Sequence, residues 1–192
     1  MSDTLLFLRS WLRNPSRIGA VAPSGRALAN LITSDLTLPG KPVIELGPGT
    51  GTFTQALIAR GVPEHRLALV EADPAFAEAL KVRFPGARVL AMDATHLGEV
   101  VSLFDEPAGA IVSGLPLLAM PAEKVAAILQ GAFRHLRPGG ALYQFTYLPR
   151  CPVPRRVMDQ LELEAHPIGC AWVNLPPAFV YRFSRVSPEW RR

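Results

Sequence analysis

Cysteine and long apolar runs are scarce in this chain of 192 residues. Its two cysteines, Cys151 and Cys170, are too few for a small domain built around disulfides. There is no run of 18 consecutive apolar residues of the kind that spans a bilayer. The apolar stretch at residues 5–8 is too short for the core of a signal peptide, and arginines follow it. We therefore expect a cytoplasmic protein whose thiols are reduced.

Charged residues are also few, at 19% of the chain, whereas apolar residues make up 49%. This balance excludes intrinsic disorder and provides enough apolar material for a full core. The length suits one domain, and no internal repeat, low-complexity tract or interdomain linker divides the chain. The four histidines and two cysteines show no metal-ligand spacing, so we expect no metal site.

Lysine supplies only three of the 20 basic residues, and arginine supplies the rest. The net charge is +4, and the excess lies at the two ends of the chain. Residues 1–26 carry four arginines against one acid, and residues 150–192 carry seven arginines against four acids. A GC-rich genome is the general alternative explanation of the arginine bias. Because guanidinium groups bind phosphates and carboxylates in a bidentate manner, we expect an anionic partner at these two ends.

Strand-like and helix-like runs alternate through the middle of the chain. The strand-like runs are short and apolar on both faces, as in a parallel sheet covered by helices: KPVIELG, LALVEAD, ARVLAMD, AGAIVSGLP and GALYQFTYL. This alternation predicts a doubly wound α/β fold. Beyond residue 149 the pattern predicts a short helix at residues 154–161. Strands at residues 164–173 and 179–186 then predict a hairpin added to one side of the sheet.

An amphipathic helix is predicted at residues 5–14. Phe7 and Trp11 share its apolar arc with leucines, whereas Arg9 and Arg13 lie on the opposite side. Such a helix either packs its apolar arc on the core or inserts the arc into a membrane interface, with the arginines at lipid phosphates. The two alternatives differ in whether the apolar arc is exposed.

A glycine-rich loop, VIELGPGTGTF, carries the strongest chemical signal of the sequence. It follows a predicted strand and opens a predicted helix, whose unpaired N–H groups bind polar or anionic atoms. Its glycines are Gly47, Gly49 and Gly51, whereas a dinucleotide fingerprint needs its third glycine where Thr52 stands. Glu45 repels a pyrophosphate but can bind the ammonium group of a ligand that contains an amino acid.

Two more acids end the next two predicted strands, Glu71 after LALV and Asp93 after VLAM. An acid at the end of the second strand is placed to hydrogen-bond ribose hydroxyls. Asp93 can accept a hydrogen bond from an adenine amino group, with the N–H of Ala94 beside the ring. Amino acid, ribose and adenine are the parts of S-adenosylmethionine, which we therefore predict as the cofactor. Capping of helices by acids that follow strands is the structural alternative.

The sequence resembles class I S-adenosylmethionine-dependent methyltransferases over residues 40–150, through four motifs: ELGPGTG, VEADP, AMDAT, and LRPGG before the fifth strand. Within that superfamily it is similar to the bacterial phospholipid N-methyltransferases that convert phosphatidylethanolamine to phosphatidylcholine. The segments behind this similarity are FLRSW, GAVAPSG, SGLPL and NLPPA. The resemblance implies a seven-stranded, mostly parallel sheet. It also implies cofactor contacts from Thr52, Ala72 and Ser113, and catalytic positions for Gly114 and Leu115.

Three other activities remain as alternatives. Ornithine-lipid N-methyltransferases have similar sequences. Ribosomal RNA adenine dimethylases carry an Asn-(Leu/Ile)-Pro-(Tyr/Phe) motif after the fourth strand, whose amide accepts from the target amine and whose ring stacks on the flipped base. Residues 114–117, GLPL, lack both the amide and the ring, although the basic charge fits RNA. The third alternative is a protein that binds a lipid or a nucleotide without catalysing a reaction. The presence of all three cofactor acids, Glu45, Glu71 and Asp93, argues against it.

A lipid amine needs an apolar site, because only the neutral amine attacks a methyl group and desolvation lowers an ammonium pKa. Leu115, Leu117, Met120 and Trp172 are candidate walls, with core packing as the alternative for each. No residue is evident as a general base. Tyr147, at the end of the fifth strand, is the candidate for contact with the substrate nitrogen.

The lipid phosphate needs donors, and the candidates are Arg17, Ser24 and Arg150. Ser24 is also expected to cap a helix that runs to Ile32. We therefore expect a phospholipid N-methyltransferase that leaves S-adenosylhomocysteine as its product. Its N-terminal helix attaches it peripherally to an anionic membrane surface, and no nucleic acid partner is expected.

The predicted single domain has three parts. Residues 1–35 form helices that contact the membrane and cover the substrate. Residues 40–150 form the cofactor-binding core, and residues 151–192 form the C-terminal hairpin. This division remains a prediction from the sequence.

Overall fold

The computed structural model describes residues 23–36, 40–174 and 176–186. The predicted helix at residues 5–14, with its four membrane candidates, and the phosphate candidate Arg17 lie outside the described residues. Their roles therefore stay predictions.

Seven strands form one sheet in the order β3-β2-β1-β4-β5-β7-β6. They are β1 (Val43–Leu46), β2 (Leu67–Glu71), β3 (Arg88–Ala91), β4 (Ala108–Ser113), β5 (Leu136–Thr146), β6 (Leu163–Ala171) and β7 (Ala178–Arg185). The first five strands pair in parallel, whereas β7 runs antiparallel to both β5 and β6. The predicted α/β fold with a mostly parallel, seven-stranded sheet and a hairpin on one side is confirmed.

The central strands are buried on both faces, as their continuous apolar runs predict. Every residue of β1, β2 and β4 is buried. β3 is the exception, because it is the edge strand and exposes Arg88 and Ala91. The apolar pattern of ARVLAMD was therefore too weak to distinguish an edge strand from a central one.

Helices cover both faces of the sheet. They are α1 (Pro23–Ile32), α2 (Thr52–Ala59), α3 (Pro74–Arg83), α4 (Ala122–His135) and α5 (Arg155–Gln160), with short 3-10 helices at Glu64–Arg66, Ala94–Glu99 and Leu117–Ala119. The first three pack on one face, and α4, α5 and Ala94–Glu99 pack on the other. Among the residues that the structure describes, no helix has both the length and the hydrophobicity needed to cross a bilayer.

Two local expectations were wrong. α1 begins at Pro23, so Ser24 lies within its first turn and not at the capping position before it. β5 begins at Leu136, so the segment LRPGG forms the start of that strand and does not precede it. Leu136 pairs with Ala108 and the register then shifts, because the strand contains Pro138 and Gly139, whose φ is 75°.

Candidate active site

The loops that follow β1, β2, β3 and β4 meet at one edge of the sheet, where the parallel strands end. Backbone hydrogen bonds join them in sequence across this edge. The N–H of Gly47 donates to the carbonyl of Val70 at 2.9 Å, and that of Gly114 donates to Leu46 at 2.7 Å. The N–H of Met92 donates to Glu71 at 2.9 Å. The predicted cofactor motifs are therefore brought together at this edge.

The glycine-rich loop turns into α2 through residues with positive φ. Gly49 has φ of 54° and open space where a side chain would be, which leaves room for a ligand beside the backbone. Gly51 has φ of 82° and precedes Thr52, the first residue of α2. The Arg83 guanidinium donates to the Thr50 carbonyl at 2.5 Å and holds the loop against α3.

The loops after β1 and β4 approach each other more closely than side chains permit. A Cβ on Gly114 would lie 2.6 Å from the Gly47 carbonyl oxygen, and one on Gly47 would lie 2.8 Å from Leu115 Cδ2. Ser113 is buried beside this contact, and its hydroxyl accepts from the Leu115 N–H at 3.3 Å. This close contact explains why a residue without a side chain stands at position 114. It also places Leu115 over Gly47, the first glycine of the loop.

Glu45 is fully buried in β1. One carboxyl oxygen, Oε2, accepts from the Thr54 hydroxyl of α2 at 2.6 Å, whereas Oε1 is buried without a hydrogen-bond partner. Desolvation raises the pKa of Glu45 from 4.5 to about 8, and the negative charge of Glu71 adds to the rise. A buried, unpartnered carboxyl oxygen needs a donor, and a ligand ammonium group would supply one.

Glu71 ends β2 and is 8% exposed. Its Oε2 accepts from the Gly49 N–H at 3.0 Å, and its Oε1 accepts from the Asp73 N–H at 2.9 Å. The carboxylate therefore ties the glycine-rich loop to the start of α3. Because each carboxylate oxygen can accept a second hydrogen bond, the group retains capacity for ribose hydroxyls.

Asp93 is exposed and caps the 3-10 helix that begins at Ala94. Its Oδ1 accepts from both the N–H and the hydroxyl of Thr95 at 2.9 Å, and these bonds lower its pKa, the backbone bond most. Asp93 therefore caps a helix, which is the structural alternative to cofactor binding. Both hydrogen bonds use Oδ1, so Oδ2 takes no part in the cap. Ala94 is buried, and Ala72 is exposed between Glu71 and α3.

The residues at this edge fit S-adenosylmethionine. Glu45 offers an unpartnered oxygen for the ammonium group, Glu71 offers acceptors for the ribose, and Gly49 leaves space beside the backbone. No group of three or more potential metal-ligating side chains occurs within residues 23–36, 40–174 and 176–186. The assignment of individual cofactor contacts remains a prediction.

An apolar cleft opens beside the predicted cofactor loops. Its walls come from the segment after β4 and from the end of β5: Leu115, Pro116, Leu117, Leu118, Phe145, Thr146, Tyr147, Leu148 and Pro152. Its volume is about 20 Å³, which is room for about one water molecule. A headgroup can therefore enter only when these walls move apart. Of the four predicted walls, Leu115 and Leu117 line the cleft.

Trp172 and Met120 do not line this cleft. The Trp172 side chain is 74% exposed in the turn between β6 and β7. Met120 packs against the core under α4 instead. Trp172 is therefore not a wall of this cleft, because the hairpin carries its ring outward into solvent, and a role for it at the substrate stays a prediction.

Tyr147 lies one residue beyond β5 and lines the cleft. Its ring packs edge to face on Phe145, with 5.3 Å between the ring centroids. Burial raises the pKa of Tyr147, although a hydrogen bond with the Asn174 side chain opposes this rise. Tyr147 thus connects the cleft to the β6–β7 hairpin. Tyr143 is buried deeper in the sheet, and its hydroxyl donates to Asp35 Oδ2 at 3.2 Å.

Gln144 is a polar residue at this site that the sequence analysis missed. It is fully buried, and its Nε2 donates to the carbonyls of Leu115 and Phe145 at 2.8 Å. Its Oε1 is buried without a hydrogen-bond partner. A polar residue inside the apolar run ALYQFT was the available signal. Gln144 fixes the loop that forms one wall of the cleft.

Arg150 is the one phosphate candidate whose side chain the structure describes. It is exposed just beyond β5, on the same edge as the cleft. Its N–H donates to the Leu148 carbonyl at 2.7 Å, which closes a tight turn after the strand. An exposed guanidinium at this position is available to an anionic group.

Comparison with known proteins adds independent evidence. The family described as "Methyltransferase domain" matches residues 43–140. An ornithine lipid N-methyltransferase from Singulisphaera acidiphila is 30% identical over 188 residues, which cover 94% of this chain and 95% of that protein.

Solved structures share the fold. The N-methyltransferase NodS from Bradyrhizobium japonicum, in complex with S-adenosyl-L-homocysteine, has a TM-score of 0.65 at 18% identity, covering 97% of this chain and 100% of that chain. A TehB-like S-adenosylmethionine-dependent methyltransferase from Corynebacterium glutamicum has a TM-score of 0.63 at 16% identity, covering 94% and 97%. At these identities the likeness is one of fold.

Proposed function

Because the chain belongs to the class I S-adenosylmethionine-dependent methyltransferases, we propose that it transfers methyl groups to the primary amine of a membrane lipid. S-adenosylmethionine is its cofactor. The observation that carries the lipid proposal is the apolar cleft between the residues after β4 and the end of β5, at the cofactor edge of the sheet. The ornithine lipid relative, similar over nearly its full length, supports the same substrate class.

The apolar walls explain how the amine becomes reactive. When bound, S-adenosylmethionine supplies a methyl group on a positively charged sulfur. An ammonium has no lone pair for attack, and in water a primary amine of this kind is protonated at neutral pH. Walls such as Leu115 and Leu117 desolvate the amine, which lowers its pKa and favours the neutral form. The walls also hold the nitrogen in one orientation and exclude water.

Tyr147 is the polar group best placed to orient the amine. Its hydroxyl stays protonated at pH 7, because burial raises a tyrosine pKa that is already well above neutral. It can therefore accept a hydrogen bond from the amine, but it does not remove a proton from it. The ring also offers a face to a cation. We assign Tyr147 to positioning rather than to general base catalysis.

Arg150 is the proposed partner of the anionic part of the headgroup. It is exposed beyond β5, where a lipid that enters the cleft presents its headgroup charge. Two headgroups fit this arrangement, since each carries a primary amine and an anion. They are ethanolamine phosphate, which the sequence predicts, and ornithine, which the name of the relative favours. Stepwise methylation of phosphatidylethanolamine would end at phosphatidylcholine.

The membrane setting belongs to the same proposal. A lipid amine lies at a bilayer surface, so we propose that the enzyme acts there as a peripheral membrane protein, on the cytoplasmic side that the sequence predicts. The predicted helix at residues 5–14 supplies aromatic residues and arginines suited to that surface.

One experiment tests the proposal. The purified chain is incubated with methyl-labelled S-adenosylmethionine and, in parallel, with vesicles of phosphatidylethanolamine, vesicles of ornithine lipid, and ribosomal RNA. We expect label in the lipid fraction of at least one vesicle sample. Thin-layer separation then identifies the headgroup and the number of methyl groups.

Two results would overturn the proposal. Label in ribosomal RNA and not in lipid would assign the enzyme to the RNA dimethylases. If the chain binds the cofactor but transfers no methyl group to any of the three acceptors, the proposal of a lipid substrate is wrong. A Glu71→Ala variant is the negative control, because loss of the ribose acceptors lowers transfer to every acceptor alike.

A further inference from the structure

The turn between β6 and β7 exposes two adjacent large apolar side chains. Trp172 is 74% exposed and Val173 is 73% exposed. Within the described part of the chain, the other large apolar side chains this exposed are Val82 and Val101, which are single residues elsewhere. A contiguous exposed Trp-Val pair costs free energy in water, so its position calls for a partner.

The pair lies on the same edge of the molecule as the cleft. β7 pairs antiparallel with β5, and Thr146 at the end of β5 lies opposite Phe179 at the start of β7. Phe179 also pairs with Cys170, two residues before Trp172. The turn therefore projects from the edge where the parallel strands end, beside the entrance to the cleft.

Contacts within the described residues hold Trp172 and Asn174 against the hairpin. The Trp172 ring packs edge to face on Phe179, with 6.2 Å between the ring centroids. Asn174 is buried, and its Nδ2 donates to the Pro176 carbonyl at 2.7 Å. Residues 172–174 are thus tied to the hairpin while the apolar side chains of Trp172 and Val173 face outward, as in an anchor.

We infer that the Trp172–Val173 turn is a membrane anchor that inserts into the headgroup region of the bilayer and brings the cleft entrance against the lipid surface. Tryptophan favours the membrane–water interface, because its ring is apolar and its N–H is polar. Arg150, exposed on the same edge, faces anionic headgroups in this orientation. The inference rests on the proposed lipid substrate, and it adds a contact independent of residues 5–14.

Bromine quenching tests the insertion directly. The chain has three tryptophans, so Trp11→Phe and Trp190→Phe leave Trp172 as the only one. This variant is mixed with vesicles of phosphatidylethanolamine and phosphatidylglycerol whose acyl chains carry bromine at a shallow or a deep position. We expect a blue shift and stronger quenching by the shallow bromine. Unchanged Trp172 emission while the protein sediments with vesicles would overturn the inference.

Paired variants measure the contribution of the turn. Trp172→Ala with Val173→Ser should lower vesicle partitioning about tenfold or more, because one large apolar side chain contributes that much on leaving water. The control is Val82→Ser with Val101→Ser, which removes two valines that are at least as exposed, one on α3 and one after the 3-10 helix Ala94–Glu99. The control should partition like the unchanged protein, and equal losses in both pairs would overturn the inference.

Activity measurements separate this inference from the proposed function. The Trp172/Val173 variant should lose turnover on vesicles but keep it on a short-chain lipid below its micelle concentration, with unchanged cofactor affinity. If the unchanged protein methylates no lipid in either form, the proposed function fails. If the unchanged protein methylates the lipid in vesicles and the variant does so equally well, the inferred membrane anchor is wrong while the proposed function stands. A change in oligomeric state without a change in vesicle binding would instead assign the turn to a contact between protein chains.

Discussion

At the scale of single residues, the site depends on a few buried polar groups without a full set of partners. Glu45 is the clearest case, because its carboxyl group is fully buried and one oxygen has no hydrogen bond. With a pKa of about 8, Glu45 carries its proton in most molecules at pH 7. If the ammonium group of the cofactor binds Glu45, as predicted, it favours the carboxylate, and binding then releases this proton.

Cofactor binding should therefore depend on pH. Below the Glu45 pKa of about 8, most protein molecules that bind the cofactor give up a proton, so affinity should rise with pH between about 6 and 8. The rise should approach tenfold per pH unit. Calorimetry in buffers of different ionisation enthalpy measures the released proton. Glu45→Gln should bind more weakly without proton release, and a pH-independent affinity in the unchanged protein would contradict the role of Glu45.

Glu71 should contribute to affinity without a proton change. Glu71→Ala removes the acceptors for the ribose and the bond to the Gly49 N–H, and should weaken S-adenosylmethionine binding by about 1.5–3 kcal/mol. Calorimetry on the folded variant measures this loss. Glu64→Ala is a matched control, because that acid also accepts from a glycine N–H, that of Gly86 at 2.8 Å, but lies outside the predicted site.

Tyr147→Phe separates the hydroxyl from the ring. If the hydroxyl orients the amine, the variant should lower kcat by a larger factor than it changes KM. The hydrogen bond between the hydroxyl and the amine strengthens as the charge on nitrogen changes in the transition state. Steady-state kinetics on vesicles measure the two constants. Tyr143→Phe is the control, since its hydroxyl bonds to Asp35 away from the cleft and its loss should affect stability alone. An unchanged kcat in Tyr147→Phe would exclude a role of the hydroxyl and leave desolvation and positioning by the other cleft walls as the mechanism.

At the scale of elements, close contacts between loops shape the cofactor edge. The glycine-rich loop turns into α2 at Gly51, where a Cβ would lie 2.6 Å from the Phe84 ring. Gly61, just beyond α2, also has positive φ, at 89°, but has open space around it. Both positions therefore require a positive φ, but only at Gly51 would a side chain also collide with a neighbour.

Alanine at these two glycines should distinguish strain from steric overlap. Gly61→Ala should cost about 1–2 kcal/mol, the value for an L-residue with left-handed backbone. Gly51→Ala should cost about 1–3 kcal/mol more, because Phe84 must also move. Urea unfolding measures both free energies, and calorimetry should show weaker cofactor binding for Gly51→Ala alone. If the two variants lose the same free energy of unfolding, the Phe84 ring moves away from the new Cβ without destabilising the protein.

At the scale of the whole molecule, the charge and the exposed apolar surface both fit the proposed contact with a membrane. The net charge is +4, and the arginine excess lies in the terminal segments. The turn with Trp172 and Val173 projects from the edge that holds the cleft. Lipid binding would then combine an electrostatic attraction with apolar insertion.

The two contributions should respond differently to salt. Partitioning onto anionic vesicles should fall as ionic strength rises, because salt screens exposed arginines, and the residual binding should depend on Trp172. Deletion of residues 1–14 should weaken partitioning strongly and leave cofactor affinity unchanged. Sedimentation across a salt series measures both effects. Undiminished binding of the truncated chain would show that residues 1–14 do not contact the membrane.

The sequence by itself determined the elements and the cofactor chemistry. Apolar runs bounded by glycine or proline identified the central strands, since burial on both faces leaves a continuous apolar pattern. The positions of Glu45, Glu71 and Asp93 at successive strands predicted S-adenosylmethionine as the cofactor, and their individual contacts stay predictions. The hairpin followed from two strand-like runs around a Pro-containing turn. These features are local, so the residues that encode them lie close together in the chain.

Only the tertiary structure decided which groups are buried, paired or exposed. The orphaned oxygen of Glu45, the bond from Gln144 to Leu115 and the outward position of Trp172 each depend on strands distant in sequence. The same dependence made β3 an exposed edge strand. Desolvation and steric contact arise from packing across the sheet, and that packing sets the pKa of Glu45 and leaves the Trp172–Val173 turn facing solvent.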